Sequence, residues 1–398
     1  MQRVDDSVVR VVGGRPLVLR RARGLAPTPI RLPIALSEPI LAVGGDLKGA
    51  LAVGVGDLAL VSHHLGDLGD VDATADLERC LDHVERLLGV RPRIVAHDLH
   101  PDQESTRLAL AIAAARGGRP VAVGHHHAHV ASCLADAGRD GPVIGVALDG
   151  LGLGPDGGLW GGEILVGSAD RVERVAHLRP VALPGGDAAS RAPWRVATAH
   201  LIDAGLPTDR VAHHAAPDQR TIVEAMVRAG RAPVASSTGR LFDAVACLAG
   251  LRGVSSYEGQ AAIELEGAAA GSDDPGAYRF ELTAGEPGGP TVLDTRPVVR
   301  AVVADADAGV PAGAIAARFH RGLADAITAI AVQIRARGGP ATVALGGGVF
   351  ANAVLVAACE ERLARRGFEV LRPTRVPPND GGLALGQLHV AAARARRP

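Results

Sequence analysis

Aromatic side chains are almost missing from this chain of 398 residues: 2 Trp, 2 Tyr and 5 Phe make up 2% of it. So few rings argue against binding single-stranded nucleic acid by base stacking. The core must instead be built from small aliphatic side chains, with 51 glycines letting backbones approach closely. An excess of either charge is missing too. Lys and Arg number 42 against 43 Asp and Glu, which excludes a broad basic face for nucleic acid. Cysteine is scarce: Cys80, Cys133, Cys247 and Cys359 lie far apart, and none forms a C-x-x-C pair. That spacing excludes a zinc ribbon or a disulfide framework and predicts four small buried residues in a reducing compartment. No apolar run approaches the ~20 residues of a membrane span. The opening MQRVDDSVVR carries charges where a secretory signal needs an apolar segment. A soluble, cytoplasmic protein with no membrane or nucleic-acid partner is therefore expected.

What is present is an ordered alternation of strand and helix patterns. Residues 1–37 read as a lead-in. VVRVVGGRPLVLRR forms a hairpin around Gly13-Gly14, and the proline-rich APTPIRLP an extended linker. Arg20, Arg21, Arg23 and Arg31 cluster here and could hold a phosphate or form a solvated face. In residues 38–140, three short strands near 40–44, 49–53 and 58–62 make a β-meander. Leu77, Cys80, Leu81, Val84, Leu87 and Leu88 then recur at helical spacing until Gly89. RIVAHD is a strand, RLALAIAAA a helix and PVAVGH a strand, after which the histidine segment opens another helix. Residues 141–398 start the same way, with VIGVALDG, GLWGGEILVG and RVERVAHLRP as strands. TVALGGG (342–348) is a later strand, FANAVLVAACEERLARRG a helix, FEVLRP a strand and GGLALGQLHVAAARARR the closing helix. A helical insertion occupies about 189–270, and a more β-prone segment lies near 277–303. Two copies of meander-then-αβ facing across a cleft describe an α/β fold of the duplicated ribonuclease-H-like, actin-like (ASKHA) type.

Three glycine-dense junctions carry the chemistry: GHHHAHV (124–130), VALDGLGLG (146–154) and PPNDGGLALG (377–386). His125 and His129 lie one helical turn apart and share a face, so both can reach one ion, or they form a polar helix cap satisfied by water. A helix supplies only two ligands, and a closed metal site draws the others from elsewhere. Asp149 and Asp380 end apolar runs, where α/β folds usually place their chemistry. Mixed nitrogen and oxygen ligation suits Fe(II) or Zn(II) equally. The combination suggests a metal-dependent transferase.

Other motifs each keep two readings. Gly44-Gly45-Asp46-Leu47-Lys48 could offer backbone N–H groups and the Lys48 charge to a phosphate, or simply turn a hairpin. Gly346-Gly347-Gly348, ahead of a helix, could admit a phosphate or ribose to bare amides, or allow tight packing. Asp243 falls one turn inside a Ser/Thr-capped helix, where it could meet a ribose hydroxyl or favour the helix dipole. Ser255 to Gln260 reads as a polar turn with a cap. His97 to Asp102 could pass for a metal cluster, but a polar strand-end loop is the stronger reading and the site does not include it.

Taken in order, DDSVVR, HHLGDL, HDLHPD, HHHAH, DGLGLGPDGGLWGGE, TGRLFDAVA, SYEGQAA, LGGGVFAN and PPNDGGLALGQ resemble the carbamoyltransferase part of the hydrogenase-maturation family HypF. The resemblance runs from about residue 2 to residue 395, and the same core is similar to tRNA threonylcarbamoyl transferases and antibiotic O-carbamoyltransferases. It implies iron or zinc on His125, His129 and Asp380, with Asp149 and Gly150 beside the substrate or metal. It further implies a nucleotide, carbamoyl-adenylate or ATP/AMP, whose ribose Asp243 holds, with Gly259, Gln260 and Asn352 nearby. The implied reaction moves a carbamoyl group from carbamoyl-adenylate to the C-terminal cysteine of a HypE-type partner, where it later becomes a cyanide ligand of the nickel–iron hydrogenase. HypF proteins carry further domains ahead of this core, and the lead-in resembles only the last strands of the adenylating one. A fragment or half of a split enzyme is therefore expected, with the adenylating domain or protein acting in trans. Two rivals stand beside this reading: O-carbamoylation of a small metabolite, and a non-catalytic nucleotide-binding scaffold subunit.

Overall fold

Two sheets that share a five-strand order carry the chain, and the computed structural model describes residues 5–285 and 288–396 of it. A hairpin comes first, β1 (Val8–Val12) against β2 (Arg15–Arg20), turning at Gly13-Gly14 as the sequence predicts. The first sheet holds β3 (Ile30–Arg31), β4 (Ile40–Ala42), β5 (Ala52–Val55), β6 (Leu58–Val61), β7 (Ile94–Asp98) and β8 (Arg119–Val123). Their order is β3-β6-β5-β4-β7-β8. β4, β5 and β6 form the antiparallel meander, and β7 and β8 extend it in parallel beside β4. Helices α1 (Val71–Leu88) and α2 (Glu104–Ala115) make the crossovers, and α3 (His125–Ala137) leaves the sheet. The Asp70 side chain caps α1 by accepting from the Asp72 N–H, and Gly89 closes it in the left-handed conformation.

The second sheet repeats the plan. Its strands are β9 (Val143–Leu153), β10 (Leu159–Gly167), β11 (Val172–Leu178), β12 (Val181–Ala182), β13 (Val234–Ala235), β14 (Glu281–Thr283), β15 (Thr291–Asp294), β16 (Thr342–Gly346) and β17 (Glu369–Leu371). The run β11-β10-β9-β16-β17 matches β6-β5-β4-β7-β8 strand for strand, with antiparallel and parallel pairs in the same places. The chain is a duplicated ribonuclease-H-like α/β fold. Helices α4 (Ala188–Arg191), α5 (Pro193–Asp203), α6 (Pro217–Arg228), α7 (Thr238–Leu248) and α8 (Gln260–Ala270) fill the expected helical insertion. After them come α9 (Arg296–Asp307), α10 (Ala312–Ala336), α11 (Ala353–Arg365) and α12 (Leu383–Ala395). No helix among the described residues is long and apolar enough to cross a membrane.

Three local expectations change. The segment 277–303 is only partly strand, because Arg296–Asp307 is helical. Its valines suggested a strand, but Val298, Val299 and Val302 are buried at helical spacing behind Pro297 in the first turn. The proline-rich linker is not wholly free either, since Ile30 and Arg31 pair with β6 as an edge strand. Finally, Arg21 belongs to no solvated face. It is buried, and its guanidinium donates to the carbonyls of Thr28 and Arg375.

The lead-in is bolted to the second half. Val12 and Leu17 join that half's apolar core. Buried Arg372 donates to the carbonyls of Val12 and Pro16 and pairs with Glu360. All four cysteines are free and buried, as expected. The helix that matters most for the site is α3, whose residues from His125 to Asp136 are all buried. It packs against α12 on one side and against β9 and β16 on the other. Asp136 at its far end accepts from the Thr374 and Arg375 amides, anchoring the loop that leads to Asp380.

Candidate metal and nucleotide site

Gly124 is extended, and α3 starts at the next residue, so His125 and His129 occupy its first two turns. β9 ends in Asp149 and the glycines after it, and a short 3-10 turn, Asp380–Gly382, brings in the last carboxylate. His129 Nε2 lies 2.8 Å and His125 Nε2 3.2 Å from Asp149 Oδ2. Asp380 Oδ1 is 3.7 Å from His129 Nε2 and 3.8 Å from His125 Nε2. One atom from each of the four residues lies within 4.8 Å of all the others. Ligands about 2.1 Å from a shared ion would sit about 3.0–3.4 Å apart, so this donor set fits a small divalent transition metal.

The surroundings hold the donors in place. Asp149 Oδ1 accepts from the Gly150 and Gly348 amides, which turns Oδ2 toward the histidines. Asp98, fully buried, lies 2.8 Å through Oδ2 from His125 Nδ1. That contact fixes the ring and points Nε2 at the cluster. The sequence reading placed Asp98 in a mere polar loop; the structure makes it the partner of a candidate ligand. Only the strand-end position shared with Asp149 hinted at this. Burial opposes charge on His125, but Asp98 and Asp149 outweigh it and hold this imidazole well above its ordinary pKa. Burial also opposes the Asp149 charge, and hydrogen bonds from both histidines hold it well below the usual carboxylate range. Asp380 moves the other way, raised by burial and by the Asp149 charge.

Asp149 and Asp380 also line a cavity of about 440 Å³ whose other walls include Lys48, Gly150, Asp243, Gly259, Gly348 and Asn352. These come from both halves of the chain. Lys48, in a positive-φ turn of the first half, reaches Glu258 of the second at 2.8 Å. Asn352 caps α11 by accepting from the Leu355 N–H and meets His320 at 2.9 Å, so its amide is already engaged. Gln260 does not line the cavity; its side chain accepts from the Ser256 amide and donates to Glu264. Nor do Gly346 and Gly347. A Cβ on Gly346 would press on His129 O at 2.9 Å, and one on Gly347 on the Leu148 carbonyl carbon at 2.7 Å. Close packing explains these two, while Gly348 alone faces the cavity.

Asp243 is the most strained charge. It is 2% exposed, and its Oδ2 lies 2.8 Å from Arg240 Nε without the alignment of a hydrogen bond. Burial pushes its pKa up to about 6, against the pull of Arg240. The folded value thus exceeds the ordinary one. The associated stability is complete below about pH 4 and is lost as pH rises through 6. At about 1.4 kcal/mol per unit, the ionised group costs the fold about 1–3 kcal/mol at neutral pH. Asp243→Asn is therefore expected to be more stable than the parent by that order at pH 7.5, with the gain gone at pH 4. Urea unfolding at both pH values checks this.

Known proteins resemble this chain along its whole length. Residues 35–136 match the family described as "HypF Kae1-like domain", and residues 145–387 match "Carbamoyltransferase, Kae1-like Domain, second subdomain". Carbamoyltransferase HypF2 of Cupriavidus necator is 42% identical over 99% of this chain and 51% of its own length. A carbamoyltransferase HypF homolog of the same organism is 41% identical over 89% of this chain and 91% of its own. A crystal structure of full-length HypF in a phosphate- and nucleotide-bound form superposes with a TM-score of 0.93 at 36% identity. The superposition covers 99% of this chain and 51% of that one. The chain spans about half the length of most curated relatives it matches. On sequence, on fold and across both halves, this chain belongs to the HypF carbamoyltransferase family.

Proposed function

We propose that this chain transfers a carbamoyl group from carbamoyl-adenylate to the C-terminal cysteine of a HypE-type partner, a step in maturing nickel–iron hydrogenase. One observation carries the reading: the two aspartates that face the histidine pair also line the cavity walled by Asp243 and Gly348. Adenosine would lie on the Asp243 side, its ribose hydroxyls donating to that carboxylate. Lys48 would exchange Glu258 for the phosphate, and Gly348, lacking a side chain, leaves room for it to approach Asp149. His125, His129, Asp149 and Asp380 would hold Fe(II) or Zn(II), which when bound supplies Lewis acidity toward the carbamoyl oxygen.

The chain's own work is positioning. The acceptor sulfur, as thiolate, attacks the carbamoyl carbon, and the bond from that carbon to the phosphate oxygen breaks. AMP leaves with the electron pair, and the thiol proton passes to water. Because AMP is a good leaving group, holding the two reactants in line supplies much of the acceleration. Asp98 keeps His125 turned toward the cluster, and burial of His125, His129 and Asp149 limits competing water. Carbamoyl-adenylate would be supplied by an adenylating domain or protein. Cytoplasmic action fits the four free, buried cysteines.

The test is direct. The purified, metal-loaded chain is mixed with carbamoyl-adenylate generated in situ and with the cysteine-tailed partner, which is then weighed by mass spectrometry. A gain of one carbamoyl group on the terminal cysteine is expected. An unmodified partner, with metal and nucleotide both bound to the chain, rejects the reading.

A further inference from the structure

A second cavity, of about 630 Å³, reaches the same cluster from another side. It is lined by His125 and His126 and shares no lining residue with the nucleotide cavity, whose share of the cluster is Asp149 and Asp380. β9 separates the two: Asp149, Gly150 and Leu151 border the nucleotide cavity, and Leu153 borders the other. The cluster thus borders two separate cavities, one through Asp149 and Asp380 and the other through His125.

The lining of the second cavity describes its occupant. His126 is 2% exposed, yet neither of its ring nitrogens has a hydrogen-bond partner. Its ring is 5.4 Å from that of His125 and 5.9 Å from that of Trp160. A buried imidazole left without partners costs free energy unless a ligand completes it. Arg174 stacks on the same Trp160 ring at 4.2 Å while its Nε donates to buried Glu163 at 2.6 Å, and Arg171 and Arg394 lie elsewhere on the wall. Asp156 and Asp170 also line it, and with Glu163 behind Arg174 the three arginines are balanced by three carboxylates, so the wall is marked by the unpartnered His126 and not by net charge. Leu99, Leu153, Leu165 and Val172 supply apolar wall. Apolar sides with donors placed near the chemistry suit an extended peptide end bearing a free carboxylate.

Building on the function proposed above, we infer that the second cavity is the acceptor's entrance. The acceptor's C-terminal peptide enters it as an extended chain, its terminal carboxylate meets His126, and its thiol arrives beside His125. Peptide and nucleotide then bind together, from different sides of the cluster.

The probe is a synthetic hexapeptide with the partner's C-terminal sequence, made with a free carboxylate and as the C-terminal amide. Its binding to the full chain is measured by calorimetry with and without saturating AMP. The free acid is expected to bind equally well, within about twofold, in both conditions, and the amide at least tenfold more weakly. Leu153→Phe, which narrows the cavity, and Arg171→Ala, at an exposed position, should each weaken the peptide while leaving AMP affinity unchanged. Displacement of the peptide by AMP overturns the inference. So does equal binding of acid and amide, or peptide affinity untouched by both variants. If the partner is carbamoylated while any of these holds, the inference falls and the proposed function stands. Peptide binding without carbamoylation sinks the function, and this inference with it.

Discussion

A His129→Ala chain is expected to lose its metal and roughly 10²–10³-fold of its transfer rate, the scale seen when one charge-stabilising group is removed from an active site. His129 is 1% exposed, and Nε2 spends its contacts on Asp149 at 2.8 Å and Asp380 at 3.7 Å. Without it, Asp149 and Asp380 face each other with only His125 and the Lys48 charge to balance them. Two carboxylates and one imidazole make a weaker and more open site than the full set. Asp98→Asn should act through His125 instead. It removes the charge that orients the ring, so metal affinity should fall about 10–100-fold while all four candidate ligands remain. Metal content after dialysis and competition against a chelator separate these cases. Unchanged far-ultraviolet circular dichroism would show that the fold survives. Full metal occupancy with parental transfer in His129→Ala would refute the ligand assignment.

Gly386→Ala is expected to be the most damaging single methyl group, costing about 3 kcal/mol or more. Gly386 sits on α12 where that helix crosses α3. A Cβ there would strike the Ala128 carbonyl, with the carbonyl carbon 2.7 Å away and the Ser132 amide nitrogen 2.9 Å away. Both obstacles are backbone, so no rotamer change relieves the clash. The helices must separate, and α3 carries both histidines on the turns flanking Ala128. Metal affinity should therefore fall with stability, although residue 386 touches no candidate ligand. Gly267→Ala provides the contrast. It lies inside α8 with nothing within 4 Å of a new Cβ, so it should gain up to about 1 kcal/mol from helix propensity. Urea unfolding of the two variants measures both. Equal stability of Gly386→Ala and the parent would contradict the close α3–α12 crossing.

Much of the fold was legible in the chain because its elements obey local rules. The meander shows as short apolar runs between glycine turns, and α1 as a helical stripe ended by Gly89. Where local rules conflict, legibility fails. The valines of α9 have strand propensity at helical spacing, and spacing wins because the helix buries Val298, Val299 and Val302 on one face. Glycines are the least legible of all. Gly346, Gly347 and Gly348 are identical in sequence, yet two are pressed against backbone and one faces the cavity.

The sequence by itself determined the strand and helix pattern, the doubled order, and the pairing of His125 with His129 on one helical face, because each follows from periods of two or 3.6 residues within a short window. The ends of apolar runs pointed to Asp149 and Asp380, but only tertiary structure brought them, and Asp98 with them, to those histidines. Asp98 at the end of β7, Asp149 within β9 and Asp380 in its turn are far apart in the chain, and no period links them. Closure of the two halves around α3 brings them within 3.8 Å of a histidine nitrogen, and it also leaves His126 without partners beside a second cavity. Packing between distant segments depends on how whole surfaces fit, and that information is spread over the entire chain.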